Sequence, residues 1–188
     1  PGVVLNYKNN AFPEGSAVLD HERGVSGKIE PRVWQTDDSI YGGNSWGYAP
    51  ELPVKLANTI IDKLVDIVSK RGVLMLSFAP KADGTFPEDQ KQLMRDMGGW
   101  LKINGEAIYA TRPWITAGRG PDKLAPSVRF TRSKDKHVLY AILRDWRSGK
   151  VTLTDVTAKS VPANNIRSVR LLGLDEPLKW EMTGAGLA

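Results

Sequence analysis

A chain of 188 residues that is 41% hydrophobic and 25% charged holds enough apolar material for a packed core and lies outside the disordered class. No apolar run approaches the roughly 20 residues of a membrane helix, and the net charge of +5 is scattered among acidic residues without a basic run, which argues against both a membrane span and a nucleic-acid module. With no cysteine, disulfides and thiolate chemistry are excluded.

In chain order, residues 3–7 and 17–19 read as two short apolar strands separated by a polar loop with Pro13 and Gly15. The second strand delivers Asp20, His21, Glu22 and Arg23 at its C-terminal end. In α/β barrels, reacting groups sit on the loops that follow the strands, so this charged cluster is placed where chemistry is expected. Residues 24–48 are rich in glycine and aromatic residues without helical period, and they read as a long ordered loop with short strand pieces. Trp34 and Trp46 in that loop offer flat apolar faces of the kind on which sugars stack.

Residues 54–70 form an amphipathic helix with Leu56, Ile60, Leu64 and Ile67 on one stripe, closed by Gly72 as a left-handed stop. The apolar run 73–79 reads as a strand covered on both faces, as in a parallel sheet wrapped by helices. Asp83-Gly84 then makes a turn, and Pro87 opens a second helix, 87–103. Gly118 to Pro126 looks like a linker. Beyond it, segments 127–132, 137–143, 150–156 and 166–173 read as strands of an antiparallel sandwich, with Val128 and Phe130 inward and Arg and Thr outward. His137 has no acidic or histidine neighbours at ligand spacing and is read as structural; no metal or cofactor is expected.

Three stretches carry a resemblance. LDHERG (19–24), VWQTDDSIYGGNSWGY (33–48) and the block SKRGVLMLSFAPKADGTFPEDQ followed by WLKINGEAIYATRPW (69–114) resemble, in this order, the closing part of the barrel in family 29 glycoside hydrolases, the retaining α-L-fucosidases. The likeness is close over roughly residues 1 to 114 and one of pattern thereafter. The family commonly carries asparagines where Val73 and Ser77 stand, so a divergent branch is implied. The expected fold is the C-terminal part of a (β/α)8-like barrel over 1–117, followed by an incomplete antiparallel β-sandwich over 118–188. One strand with two helices cannot bury its own faces, so a fragment of a longer enzyme is expected.

The resemblance implies a double displacement with two carboxylates. The nucleophile is expected on a strand upstream of Pro1. Glu22 and Glu30 compete for the acid/base role, with Glu22 favoured because it follows a buried strand and stands beside Arg23. Arg23 is expected to bind fucose hydroxyls or the ring oxygen, and Trp46 to pack on the C5 methyl group. His21, Trp34 and Asp37 are further expected sugar contacts, while Asn104, Glu106 and Tyr109 are expected to link barrel and sandwich.

The rival reading is a non-catalytic carbohydrate-binding protein of the same ancestry. Expected partners are a fucosylated oligosaccharide or glycoconjugate and the N-terminal part of the same enzyme, with no nucleic acid and no membrane; homo-oligomerisation stays open. A periplasmic or secreted bacterial location is favoured.

Overall fold

Four short parallel strands carry the first half of the chain. In the computed structural model, which describes residues 2–9, 11–43, 45–121 and 127–188, these are β1 (Asn6–Tyr7), β2 (Val18–Asp20), β3 (Trp34–Ser39) and β4 (Gly72–Ser77). They lie side by side in sequence order, all parallel. Parallel neighbours need crossovers, and the one between β3 and β4 is helix α1 (Ala57–Ser69); helix α2 (Glu88–Asn104) follows β4.

The region expected as a loop thus contains the longest partner of β4. Its sequence, WQTDDS, hides this because polar residues occupy both faces of the strand. Trp34, Thr36 and Asp38 are buried on the side of α1, whereas Gln35 and Asp37 point to the opposite face. There they sit in register with Val73 and Met75, which are 49% and 51% exposed. The expectation of a β4 covered on both faces is therefore corrected among the described residues: Leu74 and Leu76 pack on the helices, and the other face is open.

The apolar stripe of α1 enters the core through Ile60, Ile61, Val65 and Ile67, while Leu56, expected on that stripe, precedes the helix and is 76% exposed. Ile60 packs with Ile40, Tyr41, Ala79 and Leu93, and Ile61 and Val65 pack with Ile108. The left-handed position after α1 falls to Arg71, with φ +75°, and not to Gly72. Gly72 answers a different demand: a Cβ there would lie 2.5 Å from the Trp34 ring.

The second half is antiparallel. Strands β5 (Thr111–Arg119), β6 (Val128–Ser133) and β7 (Leu139–Leu143) form one sheet in that order. Short pairs β8 (Val169–Arg170) with β9 (Pro177–Leu178), and β10 (Met182–Thr183) with β11 (Gly186–Leu187), complete this sheet-rich region. Val128, Phe130 and Val156 are its buried centre, flanked by Trp114, Leu153, Met182 and Leu187, so the three-stranded sheet faces a second layer across an apolar core.

Three expectations change here. Residues 150–156 form no strand; they join the sheet region through an isolated bridge from Leu153 to Leu187, the packing of Val156 in the core and the Asp155–Arg119 ion pair at 2.7 Å. Thr131, expected in water, is fully buried and donates its hydroxyl to the Ala107 carbonyl at 2.6 Å, which ties the sheet to the loop after α2. Gly118 and Arg119, expected to open a linker, are the last residues of β5; of the rest of that linker, Gly120 and Pro121 carry no regular structure and residues 122–126 lie outside the described residues. Gly118 has φ +111° and a Cβ there would meet the Val128 carbonyl at 2.1 Å, so the bulge between Pro113 and Gly118 requires glycine.

Candidate active site

The C-terminal ends of β1, β2 and β3 point the same way, because the strands are parallel. The residues at or after these ends, Lys8, Asp20 to Arg23, Ile40 to Gly43 and Ser45 to Tyr48, are therefore brought to one edge of the sheet. Asp20 ends β2 and is buried, accepting from Gln35 Nε2 at 2.7 Å and from the Asp37 amide at 3.3 Å. Lys8, just past β1, reaches across to donate to Asp37 Oδ2 at 2.7 Å and Glu22 Oε2 at 3.1 Å. Its hydrogen bond to Asp37, the largest influence, and that to Glu22 hold the Lys8 ammonium above the ordinary lysine range against the smaller opposing effect of burial.

Two carboxylates, one on β3 and one on the turn after β2, thus share one ammonium. The Glu22 side chain remains 52% exposed, and Asp37 is far more covered at 13%. The second oxygen of Asp37, Oδ1, is buried without a hydrogen-bond partner among the described residues. A buried acceptor left unpaired costs on the order of 1–3 kcal/mol, and such an atom facing a polar cluster is suited to a hydroxyl donor.

Arg23 is held from several directions. Its backbone has φ +54°, a left-handed conformation that costs an L residue about 1–2 kcal/mol. The surroundings fix it there: its amide donates to the Asp37 carbonyl at 2.8 Å, and its carbonyl accepts from Lys63 Nζ at 3.0 Å. The guanidinium donates to the Gly43 and Ser45 carbonyls, the latter at 2.9 Å, and lies 4.3 Å from the centre of the Trp46 ring. This cation–π contact joins the half-buried Trp46 ring to the residue next to Glu22.

The other expected residues fall elsewhere. Trp34 is 2% exposed, donates its indole N–H to the Lys70 carbonyl at 3.0 Å, and is packed against Gly72, so it cannot serve as a sugar platform. His21 is edge-on to the Trp34 ring at 5.4 Å, and its carbonyl accepts from Thr36 Oγ1 at 2.7 Å. Glu30 lies at the opposite edge of the sheet. Its amide donates to the Lys70 carbonyl at 3.2 Å, its carbonyl accepts from Arg71 Nε at 2.8 Å, and its carboxylate accepts from Ser26 Oγ. Its two backbone contacts are with the residues that lead into β4, so the structure does not bring Glu30 together with Glu22.

Sequence reasoning missed Lys8, Lys55, Lys63 and Asp38. Asp38 alternates with Asp37 along β3 and points to α1, where Lys55 Nζ at 3.0 Å and Lys63 Nζ at 2.7 Å hold its two oxygens. Burial pushes the Asp38 carboxyl up, but the two lysines outweigh it and hold it below the usual carboxylate range. The available signal was the Asp-Asp pair itself: on a strand, adjacent acids must face opposite sides, and each needs its own cation.

A cavity of about 510 Å³ also exists, away from this edge, between α1 and the β6–β7 side of the sheet-rich region. Its acids are already paired, Asp62 with Arg144 at 2.9 Å and Asp66 with both Lys70 and Arg129 at 2.7 Å, so it is a polar seam between two layers. Among the described residues, no cluster of three or more histidine, aspartate or glutamate side chains is arranged to hold a metal ion.

Comparison with known proteins agrees with the geometry. The sequence profile described as "Alpha-L-fucosidase" matches residues 3–106, and "Alpha-L-fucosidase C-terminal domain" matches 121–188. Plasma α-L-fucosidase of Pongo abelii is 34% identical over 188 residues, covering 95% of this chain and 38% of that protein. Its counterpart in Rattus norvegicus is 35% identical over 163 residues, covering 85% and 34%. Among solved structures, the Thermotoga maritima α-fucosidase in complex with a mechanism-based inhibitor superposes with a TM-score of 0.74 at 26% identity, over 90% of this chain and 37% of that one. An α-L-fucosynthase form of the T. maritima enzyme, in complex with α-L-Fuc-(1-2)-β-L-Fuc-N3, superposes with a TM-score of 0.72 at 27% identity, over 90% and 36%. The chain spans 28% to 39% of the length of the curated relatives it matches. Those relatives are glycoside hydrolases, and with a profile match across more than half its length the chain belongs to the α-L-fucosidase family.

Proposed function

We propose that this chain forms the C-terminal portion of a retaining exo-α-L-fucosidase in which Glu22 is the general acid/base. The observation that supports this most is the Lys8 ammonium joining Glu22 and Asp37 at the C-terminal edge of a parallel sheet, where barrel enzymes carry their chemistry. Lys8 fixes one oxygen of Glu22 and leaves a half-exposed carboxyl group able to reach a leaving-group oxygen. Trp46, steadied by Arg23, supplies an apolar wall suited to a 6-deoxy sugar, and Asp37 Oδ1 accepts from a fucose hydroxyl. The nucleophile comes from a strand outside residues 1–188, and the open sheet face bearing Val73 and Met75 is covered by the strands that complete the barrel. On this reading a division near residue 117 separates the catalytic region from the sheet-rich one.

In the reaction, protonation of the glycosidic oxygen by Glu22 accompanies formation of the fucosyl-enzyme; Glu22 then takes a proton from water as the ester is hydrolysed. Removal of the acid/base slows cleavage in proportion to the need for protonation. In the complete enzyme, Glu22→Ala should lower turnover of a fucosylated oligosaccharide by about 10²- to 10⁴-fold while sparing a dinitrophenyl fucoside much of its rate in the first step. Equal loss on both substrates would remove Glu22 from this role.

A further inference from the structure

Glu22 and Arg23 stand on a turn, and a turn alone does not place a carboxylate to the fraction of an ångström that proton transfer needs. What holds this turn is β3, from both of its faces. On the open face, Asp37 engages Glu22 through Lys8. On the helix face, Asp38 engages the same turn through Lys63: Nζ donates to Asp38 Oδ2 at 2.7 Å and to the Arg23 carbonyl at 3.0 Å. Lys63 is anchored in the middle of α1 and its side chain is 22% exposed, while Asp38 is 7% exposed and is further fixed by Lys55, which also donates to the Ser39 carbonyl at 2.6 Å. The left-handed φ of Arg23 is the conformation that turns its carbonyl toward α1 and its amide toward the Asp37 carbonyl.

We propose that Lys63, oriented by Asp38, is a positioning residue for the acid/base: by holding the Arg23 carbonyl from the helix side, it sets the direction in which Glu22 leaves the turn. This rests on the reading of Glu22 as acid/base. Lys63 touches neither substrate nor reacting atoms, so its effect is transmitted entirely through the backbone of residue 23. Without the ammonium, the Arg23 carbonyl loses its partner and the turn is free to relax from its left-handed geometry. Glu22 is then misdirected though still present. A small misplacement of a catalytic group from outside the site costs on the order of 10²-fold in rate. The cost falls on the proton transfer, and in the first step it depends on the leaving group, which a merely structural loss does not.

The experiment is made in the complete enzyme with two substrates, a fucosylated oligosaccharide and a dinitrophenyl fucoside, and with Glu22→Ala measured alongside. Lys63→Met should lower kcat/KM, which reports the first step, by about 10- to 100-fold on the oligosaccharide, with a loss at least several-fold smaller on the dinitrophenyl fucoside. Lys63→Gln, whose polar head is one bond shorter and leaves the carbonyl unreached, should show the same bias, and it decides the matter if the methionine variant does not fold. A uniform loss on both substrates, unchanged activity, or failure of both variants to fold would overturn the inference while a substrate bias in Glu22→Ala leaves the acid/base reading standing. If Glu22→Ala itself shows no bias, the acid/base reading fails and this inference falls with it.

Discussion

On the helix-facing side of the parallel sheet, Asp38 is enclosed and both its oxygens are held by lysines, Leu74 and Leu76 are packed, and Gly72 lies against Trp34. One residue away on each strand, the opposite side carries Asp37 with an unpartnered buried oxygen and Val73 and Met75 half in water. The same strands therefore present one satisfied face and one unsatisfied face. A satisfied face is architecture, whereas a face with an orphaned acceptor, a shared ammonium and an exposed carboxylate is the one to which the proposed function assigns a ligand and covering strands. The adjacency also explains how the site is kept in shape: each aspartate of β3 holds the Glu22–Arg23 turn from its own side.

The contrast is sharpest in the two aspartates. Asp38→Asn leaves Lys55 and Lys63 facing a neutral amide in a buried site and should cost about 3–5 kcal/mol of stability in denaturant unfolding. Asp37→Asn leaves Lys8, still one-third exposed and paired with Glu22, and should cost about 1 kcal/mol or less. Equal costs would erase the distinction between the faces.

A smaller version of the comparison uses adjacent residues of β4. Gly72→Ala drives a methyl group into the Trp34 ring and should cost about 1–3 kcal/mol by overpacking. Val73→Ala in residues 1–188 should cost less than about 1 kcal/mol, because half of the side chain already meets solvent. When the covering strands are present, that cost should rise.

Acid titration tests the helix-facing network as a whole. For Asp38 and for Asp66, burial pushes the carboxyl up, but their lysine and arginine partners outweigh it and hold both below the ordinary aspartate value of about 3.9. Their stabilisation is therefore complete above that value and is lost as the pH falls through the lower folded-state values. Replacing Asp66 with asparagine should flatten this acid limb of the stability curve, and an unchanged slope would show that the pairing contributes nothing. The smallest effect belongs to the exposed pair Arg32–Glu14, where Arg32→Ala should change stability by less than about 1 kcal/mol.

Much of the scaffold was legible in the sequence because it obeys simple periodicities. The apolar run ending before Pro80, the stripe through Ile60 and Ile67, and the alternation of Val128 and Phe130 all became the elements they suggest. β3 was not legible because its open face carries Gln35 and Asp37 and its other face an ion network, so neither shows the apolar alternation of a half-buried strand. Trp34 was misread for a related cause. An aromatic residue in a glycine-rich stretch looks exposed until the close approach of Gly72 encloses it. Glu22, Arg23 and Trp46 could be singled out from their place after a strand and from the family resemblance. Lys8, Lys55 and Lys63 could not, since isolated lysines far apart in the chain acquire meaning only when the fold brings them to a carboxylate or a carbonyl.

The central claim, that Glu22 and not Glu30 exchanges protons with the substrate, is tested most directly by azide rescue in the complete enzyme. Without the acid/base, a fucosyl-enzyme formed from a dinitrophenyl fucoside waits for water that nothing activates, and azide, which needs no base, attacks in its place. Because this is the second inversion at the anomeric carbon, the product has the configuration of the starting α-fucoside. The account predicts that Glu22→Ala with azide yields α-L-fucosyl azide, identified by NMR, and that Glu30→Ala with azide yields only fucose. Formation of the azide by Glu30→Ala and its absence from Glu22→Ala would contradict the account.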